Sequence, residues 1–279
     1  MSFDEQRLLE TPSGAALNLF VKNARQQPRA IVQINHGPAE RAGCYASFAD
    51  FLAEQGFHVY AQDHRGHGRT KAEDALPGMF ALRDGVRKVI ADAASVHDLI
   101  ANEHPGLPVI ISGRSVGGLI ALSFLREQAR PVAGAAIWDY PEMSRLSAHA
   151  ARLLLAWERF RIGSDVPSHL LPRFMADTDQ ADPPCGPPPT ISLWSDVFAM
   201  IAEMSKPGAF DRINRDLPLH VVGSEDGRSG LAKRLRQAGF SNLVSRNYGE
   251  NRNDWLSEPS GTKIMQDFAA WIDHGVLET

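Results

Sequence analysis

Residues 107–122 read LPVIISGRSVGGLIAL, and this stretch decides the fold. A β-branched run at 109–111 meets the pentapeptide Gly113-Arg-Ser115-Val-Gly117, and small apolar helix formers follow it. G-x-S-x-G between a strand and a helix is the nucleophile-elbow pattern. The flanking glycines are expected because a Cβ would clash in so tight a turn. The pattern therefore predicts the Ser115 hydroxyl above the sheet edge, with the Val116 N–H and the helix N-terminus facing any anion beside it.

A chance glycine-serine turn is the alternative interpretation of this pentapeptide. The strand before it, the helix after it and the additional Gly118 favour the elbow.

Composition restricts the classes of protein that this chain can belong to. Its 279 residues suit one large α/β domain carrying an insertion, or two small domains. With 43% hydrophobic and 22% charged residues, an ordinary soluble globular protein is expected. A net charge of −4 and a pI near 6.2 argue against nucleic acid or an anionic membrane surface as partner.

Compartment and cofactor signals are weak in this sequence. The beginning MSFDEQRLLE is acidic and polar, unlike a signal peptide, and no apolar run approaches the ~20 residues of a membrane helix. Two cysteines, Cys44 and Cys185, suggest no disulfide framework and have no metal-ligand spacing. The glycines at 66 and 68 follow no nucleotide-binding pattern. We therefore expect a cytoplasmic protein without metal or cofactor.

Strand and helix patterns alternate along most of the chain. The predicted strands are 17–21, 29–35, 57–62, 109–111, 132–137, 219–223 and 243–247. The predicted helices are 45–55, 86–103, 117–128, 144–160, 192–204, 231–238 and 262–274. This alternation predicts an α/β fold with a mostly parallel central sheet and helices on both faces.

The alternation breaks after Trp138. Residues 144–160 have an amphipathic pattern, and the proline-rich stretch at 182–189, DPPCGPPP, cannot form regular structure. We therefore predict an α/β core of residues 1–139 and 191–279, with 140–190 inserted as a short cap.

Polar residues follow three of the predicted strands, at the sheet edge where ligands and catalytic groups lie in such folds. They are His36-Gly37 after an early strand, Ser115 in the middle and Asp226 near the end. Serine, then acid, then a base after one further strand is the chain order of an α/β-hydrolase triad.

Three motifs occur together: H-G-x-x-E at 36–40, D-x-R-G-H-G at 63–68 and G-x-S-x-G-G at 113–118. In this combination the chain resembles the monoacylglycerol lipase and lysophospholipase group of α/β-hydrolases, of the serine aminopeptidase S33 type. The resemblance extends over nearly the whole chain and is weakest in the predicted cap. It implies hydrolysis of a lipid-like acyl ester, with the apolar cap helix lining an acyl groove.

The resemblance also implies roles for individual residues. Ser115 would be the nucleophile and Asp226 the acid that orients a histidine, although Asp226 could be a plain turn residue. His36 and Gly37 would shape the oxyanion loop, with a purely structural His36 equally plausible. Val116 would donate one oxyanion hydrogen bond.

Other motif residues are expected to support the site. Arg114 replaces a histidine that such lipases often have, and it would contact substrate or only pack over the elbow. Asp63, Arg65 and His67 are expected to brace the oxyanion loop, and Glu40 is also expected to be structural.

The base position departs from the group. The family segment resembling Y-x-x-x-R-H-E-x-x-x-E corresponds here to residues 248–258, with Asn253 at the histidine position. An amide cannot take a proton from Ser115 near neutral pH. Losing the base of a serine triad costs roughly 10⁶ in rate. His274, the one histidine after Asp226, is expected to be out of reach, which leaves His36 as the nearest alternative base.

Two further departures affect the oxyanion and acid loops. Pro38 stands where the resembling lipases supply a backbone N–H, and proline has none. One missing oxyanion donor costs about 10²–10³ in rate. The loop after Asp226, residues 227–230, runs straight into a helix.

Two hypotheses follow from these departures. The first is an esterase or lipase acting through Ser115 with impaired turnover. The second is a non-catalytic homologue, which would be a pseudoenzyme, an engineered variant or a small-molecule binding protein.

Overall fold

A computed structural model describes residues 2–171, 185–223, 230–248 and 259–278 of the chain, with the side chains of 259 and 260 excepted. Asp226 and Asn253 lie outside these described ranges, so their predicted roles stay predictions.

Strands and helices alternate from the first strand onward. The strands are β1 (Glu5–Glu10), β2 (Ala15–Lys22), β3 (Ala30–Asn35), β4 (Phe57–Gln62), β5 (Lys71–Ala72), β6 (Val109–Arg114), β7 (Gly134–Trp138), β8 (Leu219–Val222) and β9 (Leu243–Arg246). The helices are α1 (Ala46–Glu54), α2 (Gly85–Glu103), α3 (Val116–Glu127), α4 (Arg145–Ile162), α5 (Ile191–Met204), α6 (Gly230–Gln237) and α7 (Pro259–Trp271). A 3₁₀ turn, Ala42–Tyr45, precedes α1, and a π-helical segment, Ile272–Leu277, follows α7.

The strands form one nine-stranded sheet in the order β1-β2-β4-β3-β6-β7-β8-β9, with β5 paired to β2. Pairing is parallel from β4 through β9 and antiparallel among β1, β2 and β4. The α/β prediction with a mostly parallel sheet is confirmed. Strands β1 and β5 were not predicted, because both are largely exposed and lack the apolar run that marks a buried strand.

Apolar side chains bury both faces of the sheet. Helices α1 and α7 cover one face, where Phe48 and Phe268 pack in the same cluster as Ile34 and Trp138. Helices α2, α3 and α5 cover the other face, where Ile120 and Val197 pack with further core residues. Strand β3 lies between β4 and β6 and is buried at all six positions, and His36-Gly37 follows its carboxyl end.

Helix α4 and the described residues 163–171 after it come between β7 and α5 in the chain, within the range predicted as a cap. Ala148, Leu155 and Glu158 form the buried face of α4. The apolar residues that give this helix its amphipathic pattern are exposed instead, with Leu153 74% and Phe160 90% accessible. The assignment of residues 140–190 as a cap stays a prediction.

The structure joins the two cysteines. Cys44 and Cys185 form a disulfide across 141 residues of sequence, with their Cα atoms 6.6 Å apart. The sequence interpretation, which found no disulfide framework in the two cysteines, missed this bond because only the folded chain brings these distant segments together. In the chain-entropy model such a long loop corresponds to about 5 kcal/mol of stabilisation. Disulfides are rare in cytosolic proteins, so the cytoplasmic location stays only a prediction.

In the part of the chain that the structure describes, no helix combines the length and the apolar character that crossing a bilayer requires. No group of three or more His, Cys, Asp or Glu side chains in the same ranges is arranged to hold a metal ion.

Candidate active site

Ser115 lies in a strained turn between β6 and α3. Its backbone has φ 52° and ψ −114°, a conformation that non-glycine residues rarely adopt. Its N–H donates to the Trp138 carbonyl at 2.8 Å, and its own carbonyl accepts from Gly118 N–H at 3.0 Å. These bonds fix the turn at the carboxyl end of β6, where the pentapeptide predicts it.

The flanking glycines are required by direct contact with the backbone. A Cβ on Gly113 would lie 2.2 Å from the carbonyl carbon of Gly117, and a Cβ on Gly117 would lie 2.0 Å from the Asn35 carbonyl oxygen. No side chain could be accommodated at either position without moving β3 or α3. The sequence interpretation of these two glycines is therefore confirmed.

Val116 is the first residue of α3, directly after Ser115. The first amides of a helix have no carbonyl partner within that helix, and they form the positive end of its dipole. An anion beside Ser115 would therefore be stabilised by the start of α3, the arrangement on which the predicted oxyanion role of Val116 depends.

Glu40 organises the predicted oxyanion loop. Its Oε2 accepts from Gly37 N–H at 2.8 Å and from the Tyr45 hydroxyl at 2.5 Å, while its Oε1 accepts from Arg114 Nη1 at 2.7 Å. The Gly37 amide is thus directed at a carboxylate. Glu40 is structural as predicted, but it also ties the loop to the residue beside Ser115.

Pro38 is buried in the same loop and has no N–H to donate. Its carbonyl lies 2.8 Å from His67 Nε2, and His67 Nδ1 lies 2.9 Å from the Arg65 carbonyl. The Pro38 carbonyl therefore accepts a hydrogen bond from His67, and this bond holds position 38 in place. Pro38 therefore adds no N–H donor to the one predicted at Val116.

Arg114 lies between two carboxylates. Besides Glu40 it contacts Asp139, with 2.9 Å between Arg114 Nε and Asp139 Oδ2. Burial opposes the charge of Arg114, but Glu40 and Asp139 outweigh this cost and raise its pKa. Burial likewise raises the pKa of Glu40, and the charge of Arg114 overcomes it, so that the pKa is lowered. The guanidinium therefore joins the loop of residues 37–40, the turn at Ser115 and the end of β7.

Both ring nitrogens of His36 make hydrogen bonds to the backbone of neighbouring loops. Its Nε2 accepts from His64 N–H at 3.0 Å, and its Nδ1 lies 2.7 Å from the Gly37 carbonyl, to which it donates. Burial lowers its pKa to about 4. Neither ring nitrogen is free to take a proton from Ser115, so the suggestion of His36 as an alternative base is wrong and the structural interpretation is supported.

Asp63 braces the neighbouring loop. One carboxylate oxygen accepts from Ala42 N–H at 2.8 Å, and the other accepts from Asn18 Nδ2 at 2.7 Å and Arg69 N–H at 2.9 Å. These bonds tie the D-x-R-G-H-G loop to β2 and to the 3₁₀ turn.

Arg65 is fully buried beside that loop. It donates to Asp92 at 2.8 Å, to Asp74 at 2.7 Å and to the Ser13 carbonyl at 3.0 Å. The motif residues Asp63, Arg65 and His67 thus support the loop, in agreement with the sequence interpretation.

The base position is not filled by another described histidine. His274 is exposed on the segment after α7, where its Nδ1 contacts Glu278 at 2.9 Å and the pKa of His274 is raised by that contact. His220 is buried in β8 and receives the Trp138 Nε1 hydrogen bond at 3.3 Å. Among the described residues no imidazole hydrogen-bonds to the Ser115 hydroxyl.

Two residues of this network were missed from the sequence. Asp139, at φ 49°, contacts Arg114, and Tyr45 contacts Glu40. Asp139 directly follows β7, so the rule that ligand-binding groups lie at carboxyl ends of strands could have identified it. Tyr45 carried no such signal, because its contact depends on how the 3₁₀ turn packs.

Comparison with known proteins finds related sequences among lipases. The chain is similar to a monoacylglycerol lipase of Mycolicibacterium smegmatis, 39% identical over 97 residues, which are 35% of this chain and 32% of the relative. It is 32% identical to a human monoglyceride lipase over 107 residues, 38% of this chain and 33% of the relative. These matches span about a third of the curated relatives' length. The sequence similarity to them is thus narrower than the near-complete resemblance expected.

Fold similarity extends much further than sequence similarity. A thermostable carboxyl esterase from Bacillus coagulans superposes with a TM-score of 0.81 over 99% of both chains, at 18% identity.

The family model of the serine aminopeptidases, S33, covers the loop of residues 37–40, the turn at Ser115 and most of the sheet in a single match to residues 26–227. This match includes well over half of the chain, so the protein belongs to the S33 family of esterase- and lipase-like α/β-hydrolases.

Proposed function

We propose that this protein binds lipid-like acyl esters and cleaves them slowly through Ser115. The observation that carries the proposal is the Ser115 turn, with a strained backbone at the carboxyl end of β6 and the first amide of α3 beside it. Strain of this kind persists only where the surrounding structure maintains it, and it is common at functional sites. Monoacylglycerol and monoglyceride lipases among the relatives support an acyl ester as the substrate class.

In the proposed reaction the Ser115 Oγ attacks the ester carbonyl carbon. The carbonyl oxygen becomes an oxyanion that the Val116 N–H and the positive end of α3 stabilise. Collapse of this intermediate breaks the bond to the alcohol and leaves an acyl group on Ser115, which water then removes. The hydroxyl proton passes to solvent water, and water also protonates the departing alkoxide, because Asn253 at the predicted base position cannot accept the proton and return it.

The oxyanion site supports impaired turnover independently of the base. Pro38 has no N–H, and the Gly37 N–H is directed to Glu40 Oε2 at 2.8 Å. With one donor in place of two, the expected loss is about 10²–10³ in rate. Two separate departures from the family, the missing base and the missing oxyanion donor, therefore support slow hydrolysis.

The test restores the base. Asn253→His should raise hydrolysis of p-nitrophenyl butyrate by about 10²-fold or more, the usual effect of a positioned general base. Asn253→Gln, which keeps an amide, should show no gain, and Ser115→Ala should remain at background. Rapid hydrolysis by the unmodified protein, abolished in Ser115→Ala, would show that the site is not impaired.

A non-catalytic binding protein is the second candidate, and the occupied Gly37 amide beside Pro38 favours it. A fluorophosphonate probe labels only an activated serine. Absence of labelling in both the unmodified protein and Asn253→His, together with saturable binding of a fluorescent monoacylglycerol, would support binding without catalysis. Labelling that disappears in Ser115→Ala would support the enzyme.

We also propose that residues 140–190 act as a cap. Support comes from their position between β7, whose end carries Asp139, and α5, which packs on the sheet. Helix α4 presents Leu146, Leu153 and Trp157 outward, a surface suited to an apolar substrate.

A further inference from the structure

The disulfide joins two segments that meet at the oxyanion loop. Cys44 lies in the 3₁₀ turn, and the last residue of that turn, Tyr45, donates a hydrogen bond to Glu40. Cys185 begins the stretch 185–189, which leads into α5. The Cys44–Cys185 bond therefore connects the stretch before α5 to the turn that supports Glu40.

Residues 185–189 rest directly on that loop. A Cβ on Gly186 would lie 2.7 Å from the Glu40 carbonyl oxygen and 2.9 Å from the carbonyl carbon and oxygen of Ala39. The two backbones are thus in contact, and only glycine at position 186 permits this approach.

Backbone hydrogen bonding can contribute little to this contact. Residues 187–189 are three consecutive prolines, which have no N–H to donate. Regular anchoring resumes at Thr190, whose N–H and hydroxyl both donate to the Gly78 carbonyl, at 2.9 Å and 2.8 Å. The covalent bond at Cys185 therefore fixes the end of the stretch that lies farthest from Thr190.

Both cysteines are partly exposed, so a small thiol can reach the bond. We propose that the Cys44–Cys185 disulfide is a reducible clamp that holds residues 185–189 against the loop of residues 37–40, so that reduction loosens this loop. A dithiol reductant attacks one sulfur, the sulfur–sulfur bond breaks, and each cysteine gains one electron and one proton. The dithiol leaves as its own disulfide.

The first measurement is a thiol count on aerobically purified, denatured protein. The chain has two cysteines, so the clamp requires no free thiol before reduction and two per chain after it. Two free thiols in the unreduced protein would overturn the proposal.

The second measurement reports on the loop itself and does not depend on catalysis. Arg41 is exposed at the end of the loop, so trypsin cleavage there, followed as release of fragment 1–41 by mass spectrometry, reports loop opening. Dithiothreitol should accelerate this cleavage at least about fivefold in the wild-type protein, and reoxidation of the same sample should reverse the change. Cleavage that is insensitive to reduction would overturn the proposal.

The double variant Cys44→Ser, Cys185→Ser is the matched control. It should be cleaved at the rate of the reduced wild type whether or not dithiothreitol is present. An equal acceleration by dithiothreitol in this variant would contradict a role for the bond. The wild-type measurement compares the same sample before reduction, after reduction and after reoxidation. The test therefore holds even if the variant folds poorly.

Discussion

Arg114 shows how the residue beside Ser115 is used in this chain. Its guanidinium is held between Glu40 and Asp139, with only 12% of the side chain exposed. A buried ion pair is not in itself strong evidence of stabilisation, but removing one partner leaves an uncompensated buried charge. Removing one member of the network should therefore cost more free energy of unfolding than the intact network contributes.

Arg114→Met should lower the free energy of unfolding by about 3–5 kcal/mol, because it leaves the Glu40 and Asp139 carboxylates without their cation. Arg130→Met is the matched control, since Arg130 contacts Asp98 at the surface and exposed pairs contribute about 0–1 kcal/mol. Urea denaturation of both variants at pH 7 measures the difference. Equal costs would show that the Arg114 network contributes no more than a surface pair.

Asp196 is a second residue with an unusual environment. It lines a cavity of about 380 Å³ between α5 and the start of α2, and Ser115 is not among the residues that line this cavity. Its Oδ2 is buried without a hydrogen-bond partner among the described residues. Burial raises its pKa to about 7, although Arg152 and Arg159 act in the opposite direction.

Asp196→Asn should therefore stabilise the protein at alkaline pH. The pKa is raised in the folded state, so stability from this carboxyl is present below its unfolded pKa near 3.8 and is lost as pH rises through about 7. At pH 8 the variant should be more stable by about 2–4 kcal/mol, with no gain below pH 4. Asp211→Asn, an exposed carboxylate, should change stability by less than about 0.5 kcal/mol at either pH. A pH-independent effect of Asp196→Asn would contradict this explanation.

In helix α4 the apolar stripe of the sequence and the buried side of the helix do not coincide. Its buried side is narrow, and the apolar stripe that predicts amphipathicity lies on the exposed side. Periodicity establishes that residues 144–160 form a helix, but it cannot establish which of two apolar faces is packed. Ala148 and Leu155 pack on the core because the fold presents α5 to that side.

Leu155→Ala and Leu153→Ala form a matched pair on this helix. The first removes a fully buried side chain and should cost about 2–5 kcal/mol of unfolding free energy. The second removes a side chain that is 74% exposed and should change it by less than about 0.5 kcal/mol. Thermal and urea unfolding measure both. A larger loss from Leu153→Ala than from Leu155→Ala would reverse the assigned faces of α4.

Buried neutral histidines shape the acid stability of the whole molecule. Burial lowers the pKa of His36 to about 4 and that of His220 to about 3, and it also lowers the pKa of His64, His67 and His97. Unfolded histidines take up protons near pH 6.5. The stability that these histidines contribute is therefore complete above that pH and is lost as pH falls toward the folded-state values.

Between pH 7 and pH 5, His36 and His220 should each lower the unfolding free energy by about 2 kcal/mol. The raised pKa of Asp196 offsets about 2 kcal/mol of the total loss in the wild type, so Asp196→Asn should show the steeper decline, at least about 4 kcal/mol. Urea titrations at the two pH values test this. A stability that is constant or rises toward pH 5 in the variant would contradict neutral buried histidines.

The sequence by itself determined the parallel sheet, the turn at Ser115, the need for glycine at 113 and 117, and the supporting role of Asp63 and Arg65. These features depend on backbone sterics, side-chain periodicity and short motifs, which act within a few residues of each other. The residues proposed as acid and base, Asp226 and Asn253, rest on sequence alone.

Only the tertiary structure decided how distant groups are paired. It joined Cys44 to Cys185, placed Arg114 between Glu40 and Asp139, and occupied both nitrogens of His36. Each pairing depends on the direction in which a side chain leaves its own element and on the neighbour that packing brings there. Local sequence does not contain this information, because contacts between remote segments form only when the whole core is assembled.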